Sequence, residues 1–327
     1  MRVATFNLEN LDLPPKATAP VEVRAAILRP ALERLRADVL CLQEINAQHV
    51  PGRPERHFVA LDQLLAGTTY AGFHRAVSSA PGGNGPADVH NLVTLSRFPI
   101  TSSRDVRHDL IPPVLYAPAT AEPGVEQPAP LSFDRPLLAT DIAIGSGRDL
   151  TIINVHLKAP LAASIPGQKL SPFAWKSIGA WAEGYFISSV RRSGQALELR
   201  RLVDQVLAQD RDRLIAVAGD FNAEDHETPM RIAIGAEEDM GNGLLSPGSL
   251  VSLDRALPAD RRWSVLHHGR PQMLDHILAS HALSSKFRGI EVHNESIGDE
   301  AIVYAKVSHP IGSSHAAVVA EFALEVD

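Results

Sequence analysis

The stretch Ile215-Ala216-Val217-Ala218-Gly219-Asp220-Phe221-Asn222-Ala223 decides how the rest of the chain is read. Four apolar residues make a short buried strand, and that strand delivers an acid and an amide to the mouth of a loop. An acid buried there without a partner is strongly unfavourable, so a metal ion or hydrogen-bond donors belong beside it. The same layout recurs along the chain. Asn7 follows Val3-Ala4-Thr5-Phe6, Glu44 follows Val39-Leu40-Cys41-Leu42-Gln43, and His156 follows Ile152-Ile153-Asn154-Val155. Asp275 and His276 follow Met273-Leu274, and His315 precedes Ala316-Ala317-Val318-Val319. Six strands thus end or begin on residues that bind a metal, move a proton or hold a phosphate. That is the layout of a hydrolytic enzyme.

Around these strands the pattern is layered. Val21 to Leu35 has apolar residues at helical spacing, with Glu22, Arg24, Glu33, Arg34 and Arg36 on the polar side. Leu61 to Leu65 ends a second helix, and Ala196 to Leu207 is an amphipathic third. Strands are expected at 92–95, 100–106, 137–144, 150–155, 214–218, 249–253, 273–279, 286–292 and 316–324. Gly82-Gly83-Asn84-Gly85-Pro86 reads as a loop, and Gly145-Ser146-Gly147 as a hairpin turn. Many strands with few long helices give an α/β or α+β layered domain. The candidate residues come from both the first and last strands, so one domain over 1–327 is expected. Two surface insertions interrupt it. One, near 112–130, holds six prolines; the other, near 159–190, carries Phe173, Trp175, Trp181, Tyr185 and Phe186. Those aromatics serve either a small satellite core or a contact with bases or an apolar substrate.

Composition narrows the classes. The chain has 327 residues, 45% of them hydrophobic, enough for a sizeable core. Apolar runs stay too short to span a bilayer. The single cysteine, Cys41, lies in an apolar run and reads as core. With no signal-like N-terminus, this points to a reducing, cytoplasmic setting. The net charge of −7 argues against coating a long polyanion. The basic candidates, Arg191-Arg192, Arg200-Arg201, Arg211 and Arg213, read as a solvated face of a helix.

Cleaving a phosphate ester needs a cation, an aligned water and fixed donors for the developing charge. Magnesium is a hard ion that one or two carboxylates can hold. Glu44 and Asp220 supply carboxylates, Asn7 and Asn222 amides, and His156 and His315 donors to a phosphoryl oxygen. Asp275 can fix a histidine tautomer. Adjacent His276 should face the other way, as neighbours in a strand do. Lys158 and Arg97 are candidate phosphate contacts. The remaining histidines, His90 among them, have no motif context and read as surface or loop residues.

Several blocks together resemble the endonuclease/exonuclease/phosphatase superfamily, the DNase I-like fold. They are Thr5-Phe6-Asn7-Leu8-Glu9-Asn10, Leu42-Gln43-Glu44-Ile45, Leu95-Ser96-Arg97-Phe98-Pro99-Ile100 and Asn154-Val155-His156-Leu157-Lys158. Gly219-Asp220-Phe221-Asn222-Ala223, Leu274-Asp275-His276-Ile277-Leu278 and Ser313-Ser314-His315 follow in the expected order. The resemblance implies a four-layered α/β sandwich: two mixed β-sheets packed face to face, flanked by helices, with the site at one edge. It implies Glu44 and Asn7 as metal residues and Asp220, Asn222, Asp275, His156 and His315 as catalytic residues. Magnesium is the implied ion, with manganese a possible substitute. One departure stands out. Ser314 occupies the place where the family usually carries an acid. That weakens a second metal site, unless Glu9 or Asp12 substitutes. An alternative alignment of this block at Ser308-His309-Pro310 also lacks the acid.

The function implied is a metal-dependent phosphodiesterase, most similar to bacterial nuclease-like members and acting on DNA. Hydrolysis of a lipid, inositol or other small phosphoester is the alternative. A non-catalytic scaffold of the same fold is the third reading. Oligomeric state is open.

Overall fold

The computed structural model describes the chain except residues 17–18, 84, 146–147, 236–239, 303–310 and 325–327. Asn84 of the glycine-rich loop, Ser146 and Gly147 of the hairpin turn, and Ser308-His309-Pro310 therefore lie outside the described residues.

Twelve strands build two mixed sheets. In chain order they are β1 (Arg2–Leu11), β2 (Val39–Ile45), β3 (His74–Val77), β4 (Asn91–Ser96), β5 (Ile100–Val106) and β6 (Leu137–Ala143). They continue with β7 (Asp149–His156), β8 (Leu214–Asp220), β9 (Val251–Ser252), β10 (Asp275–Ala279), β11 (Phe287–Val292) and β12 (Val318–Phe322). One sheet runs β11-β12-β1-β2-β4-β3 and the other β9-β10-β8-β7-β6-β5. β1 and β2 are parallel, as are β7 and β8; their outer neighbours are antiparallel. The first and last strands pair directly.

Strand alternation explains the layers. Val3, Val39, Cys41, Ile152, Ala216, Ala218, Ile277, Val318 and Ala320 fill the seam between the sheets. Cys41 is fully enclosed there, and burial pushes its thiol up to about 12. On the outer face of the first sheet, Ala4, Phe6, Leu40 and Leu42 pack on α1 (Val21–Leu35) and α2 (Val59–Leu65). On the other sheet, Ile153, Val155, Ile215 and Val217 pack on α3 (Ile178–Gln209) and α4 (Thr228–Ile234). The result is the four-layered sandwich.

Two local expectations change. The third helix is 32 residues long rather than the twelve or so of its amphipathic segment, so residues 178–190 of the 159–190 insertion are helix. Ser177 caps it by accepting from the Ala180 N–H at 3.1 Å. Gly179, Gly184 and Gly194 mask the helical signal, yet Gly184 is a packing choice: a Cβ there would lie 2.4 Å from the Ala163 carbonyl. The second change is Arg24, placed by periodicity on the polar face of α1. It is buried and donates to the carbonyls of Leu8, Glu9, Asn10 and Gly312.

Gly219 has a stricter reason. A Cβ at that position would stand 2.0 Å from the Val155 oxygen of the neighbouring parallel strand. Gly219→Ala should therefore cost about 3 kcal/mol, read as a lower midpoint in urea unfolding. A variant melting with wild type would show that the strands do not approach so closely.

Candidate active site

Even spacing along the strands sends chosen side chains into the seam. Residues 3, 5 and 7 of β1 face it, as do 152, 154 and 156 of β7, 216, 218 and 220 of β8, and 275, 277 and 279 of β10. Below the site, Gln43 Nε2 donates to Asn154 Oδ1 at 2.8 Å and to Thr5 Oγ1 at 3.0 Å, tying the two sheets. Asn154 Nδ2 in turn donates to the Leu42 and Val93 carbonyls. Register then sets three titratable residues side by side, His156 opposite Asp220 and Asp220 opposite Asp275.

Glu44 needs a different device. Leu40 and Leu42 face the helices, so an unbroken pleat would send Glu44 the same way. The ladder between β2 and β4 shifts register between Leu42 and Ile45, and Glu44 adopts φ 59°. A second irregularity, between Asn7 and Leu11, puts Glu9 and Asn10 at φ 49° and 52°. His90 and Asn222 are left-handed too. Such backbone is unfavourable for non-glycine residues, and here it gathers at one edge of the sandwich.

Asp220 Oδ2 is the centre of the arrangement. Asn7 Nδ2 donates to it at 3.0 Å and Asn222 Nδ2 at 3.3 Å, and His156 Nε2 lies 3.4 Å away. Asp220 Oδ1 accepts the Asn222 N–H at 2.8 Å. Asn7 Nδ2 also reaches Glu44 Oε1 at 3.3 Å, and Glu44 Oε2 accepts the Asn10 N–H at 3.0 Å. The Asn7 oxygen accepts the Glu9 N–H at 2.9 Å, so this side chain turns N–H groups, not oxygen, toward the acids. As placed, it orients Glu44 rather than offering a ligand atom beside it.

His315 Nδ1 meets Asp275 Oδ2 at 2.8 Å. Burial opposes charge on this imidazole, but Asp275, Asp220 and Glu44 outweigh it and hold its pKa well above the usual histidine range. Asp220 moves the other way for a carboxylate: burial first, then Asp275, pushes it up to about 7, against the pull of His315 and the Asn222 N–H. His156 is neutral, because burial and then Arg135, His90, His315 and Lys158 hold its pKa well below the ordinary value. Its approach to Asp220 is therefore not an ion pair. His276 does face away from Asp275, bonded to Asp254 at 3.1 Å and to the Ala223 carbonyl at 2.9 Å.

Lys158 borders the cluster but pairs with Asp134 at 3.2 Å. Arg97 does not join it. It follows the far end of β4, pairs with Asp38 at 3.1 Å and lies over the Phe98 ring. The register Val39↔Ser96 puts it at the opposite end of β2 from Glu44. The arginines on and just after the long helix do not form one basic face either. Arg192 is buried and donates to the Asn222 carbonyl at 2.5 Å, while Arg200 pairs with Asp204 and Arg213 with Asp141. Glu9 does lie where the missing acid raised a question: its Oε2 accepts the Ser314 N–H at 2.6 Å. Asp12 is engaged by Asn46 and Gln48. Two residues without motif context, His90 and Arg135, also belong to this edge. His90 Nε2 meets Asn10 Oδ1 at 3.0 Å, and Arg135 Nη2 meets His90 Nδ1 at 2.9 Å.

Residues 4–315 match the Endonuclease/Exonuclease/phosphatase family. The chain belongs to that family. Among solved structures it is similar to an endonuclease/exonuclease/phosphatase family protein from Leptotrichia buccalis, at TM-score 0.54 and 15% identity, covering 99% of this chain and 100% of that one. A truncated TDP2 from Caenorhabditis elegans gives TM-score 0.57 at 15% identity, over 98% and 96% of the two chains. An AP endonuclease from Archaeoglobus fulgidus gives TM-score 0.51 at 16% identity, over 99% and 100%. These likenesses establish the DNase I-like fold. No curated protein matches the sequence. No helix among the described residues is long and apolar enough to cross a membrane.

Family members are hydrolases of phosphoester bonds, generally dependent on a divalent metal, and the donor set fits one. Ligand atoms of Asp220, Asp275 and His315 lie within 4.8 Å of one another. Asp275 Oδ1 is buried with no partner. With two acids directly opposite and Glu44 close by, the cluster carries negative charge that a hard cation would relieve.

The His315–Asp275 pair has a pH signature. Its contribution to stability is complete below the ordinary histidine range and fades as pH rises through the elevated pKa of His315. Asp275→Asn removes the nearest charge that raises it. The His315 ring resonances, followed by NMR in metal-free protein, should then titrate at lower pH than in wild type. An unmoved titration would separate the two residues.

Proposed function

We propose that this chain is one catalytic domain hydrolysing phosphodiesters with a magnesium ion, and that its substrate is DNA. The observation carrying this reading is Asp220: a carboxylate pushed up to about 7, fixed by Asn7 and Asn222, beside a charged imidazole. A general base works best when its pKa lies near the working pH. Glu44, with one edge toward solvent, and Asp275, through its unpartnered Oδ1, would hold the ion, which would neutralise phosphoryl oxygens and acidify a bound water.

The chain's own residues supply the rest. Asp220 takes the proton of the attacking water as its oxygen bonds to phosphorus. The ester P–O bond breaks, and the leaving oxygen takes a proton from His315, whose Nδ1 is held by Asp275. With Nδ1 engaged, His315 acts through Nε2. His156, neutral in its enclosed place, polarises the phosphoryl group. Asn222, anchored through Asp220 and the Leu157 carbonyl, keeps the loop after β8 closed on the site. Manganese should substitute for magnesium.

The DNA substrate is supported by the nuclease-like blocks at 154–158 and 274–278 and by the AP endonuclease among the fold neighbours. A lipid phosphoester is the second reading. Its support is the insertion beside the site, where Leu161, Leu170, Phe173 and Ile178 are exposed by 70% or more.

Hydrolysis of single- and double-stranded DNA, RNA, phospholipid vesicles and bis(p-nitrophenyl) phosphate tests both. Cleavage should require metal, stop with chelator and fall by about 10²–10⁴ in Asp220→Asn. Because ionised Asp220 adds negative charge beside the ion, metal affinity should rise as pH passes about 7. Cleavage that persists with chelator, or in Asp220→Asn, would sink the mechanism. The best-cut substrate chooses between polymer and lipid.

A further inference from the structure

Two buried cations outside the acid cluster hold the segment that carries Asn222. Arg192 of α3 is 5% exposed, and its Nη1 donates to the Asn222 carbonyl at 2.5 Å. No carboxylate among the described residues pairs with Arg192, so the loop carbonyl is its partner. His276, fully buried on the helix-facing side of β10, brings Nε2 to the next carbonyl, that of Ala223, at 2.9 Å. Its Nδ1 faces Asp254 Oδ1 at 3.1 Å, and Asp254 is itself enclosed and accepts from Ser252 Oγ at 2.6 Å. Both ring nitrogens thus face acceptors, which only a doubly protonated imidazole satisfies. The Phe221 ring stands edge-on to that imidazole, with centroids 5.5 Å apart.

The left-handed backbone of Asn222, at φ 49°, is unfavourable for a residue with a side chain and persists only where its surroundings over-determine it. That conformation matters because this one residue holds both oxygens of Asp220. Its N–H donates to Oδ1 at 2.8 Å and its Nδ2 to Oδ2 at 3.3 Å. Rotation of Asn222 back to negative φ would carry both donors away. A backbone held at two successive carbonyls cannot rotate so without breaking a bond to a buried cation, and such bonds are stronger than those between neutral groups. We infer that Arg192 and His276 are positioning residues for Asp220. Gripping Asn222 and Ala223 from α3 and from β10, they hold the left-handed turn that aims the carboxylate at the attacking water. Asp254 orients the ring that reaches Ala223. The inference rests on the reading of Asp220 as the base.

The test separates aim from folding. Rates on bis(p-nitrophenyl) phosphate with magnesium are measured for wild type, Arg192→Met, Arg192→Lys, His276→Gln and, as a control, Arg201→Gln, an exposed position of the same helix. Thermal melting gives the folded fraction, and amide hydrogen exchange is followed at Asn222. Per folded molecule, Arg192→Met should lose about 10²-fold in kcat with KM kept within about twofold, because aim is lost and substrate contacts are not. Its Asn222 N–H, released from Asp220, should exchange faster than in wild type. Arg192→Lys, with an ammonium still able to reach the carbonyl, should recover part of both. His276→Gln should show the same split in smaller measure, and Arg201→Gln should match wild type. An Arg192→Met enzyme as active as wild type, or a kcat that falls only in step with the folded fraction, overturns the proposal. Should Arg192→Met not fold, His276→Gln is read by the same criteria. If wild type cleaves no diester, the phosphodiesterase reading fails and exchange decides alone: an Asn222 amide equally protected in wild type and variants overturns the clamp.

Discussion

One oxygen, Asp220 Oδ2, organises the molecule. Asn7 from β1, Asn222 from the loop after β8 and His156 from β7 all approach it. It can sit there only because two sheets bring their strand ends together at one edge of the seam. The Gln43–Asn154 bond just below fixes the spacing between sheets, and Thr5 completes that polar floor. Buried amides are tolerated because each has a partner; removing one would leave the others unsatisfied. The catalytic edge is therefore held by polar bonds between layers, while the apolar seam beneath carries the burial energy.

This geometry explains what the sequence disclosed. Parallel β1, β2, β7 and β8 bring Asn7, Glu44, His156 and Asp220 to the edge where those strands end, and an apolar run followed by a polar residue marks each. Antiparallel neighbours reach the same edge where they begin. Asp275 and His315 were legible because family-like blocks surround them. His90 and Arg135 obey the same rule, standing just before β4 and β6, but no motif flags them. Strand direction was the missing information. It also misplaced Arg97, which follows the end of an antiparallel strand and so lies at the far edge. Glu44 was legible by motif, although simple alternation would have turned it outward; the bulge that corrects this leaves no mark in composition.

Other misreadings share a cause. Helical periodicity reports which face a residue occupies, not whether a charged side chain on that face finds acceptors. Arg24 is enclosed because α1 passes over the bulged end of β1, whose freed carbonyls at Leu8, Glu9 and Asn10 need donors. The bulge that shapes the site thus creates the demand that buries the arginine. In α3, the glycines and aromatics that hid the helix let it pack against residues 161–165 and the proline-rich excursion. Glu183 collects Tyr116 and Thr120 there, and Trp175 and Ile187 join a satellite core, while Phe173, Trp181 and Phe186 remain exposed.

Glu9 gives the absent acid at position 314 a physical context. In the described structure the 313–315 turn is closed by Ser313, which donates to the Asn7 carbonyl and accepts the His315 N–H, and by Glu9, which accepts from Ser314. The carboxylate that meets this turn comes from the strand facing it. Glu9 can take this position because its left-handed backbone redirects the side chain across the edge. A carboxylate bound to a backbone N–H fixes the turn, and with it the His315 ring, without adding a charge on the His315 strand. A charge at Ser314 itself would have raised local repulsion at the point where two acids already stand opposite each other. The substitution is thus compatible with an intact His315–Asp275 pair, because the turn depends on where the carboxylate sits in space and not on which strand carries it.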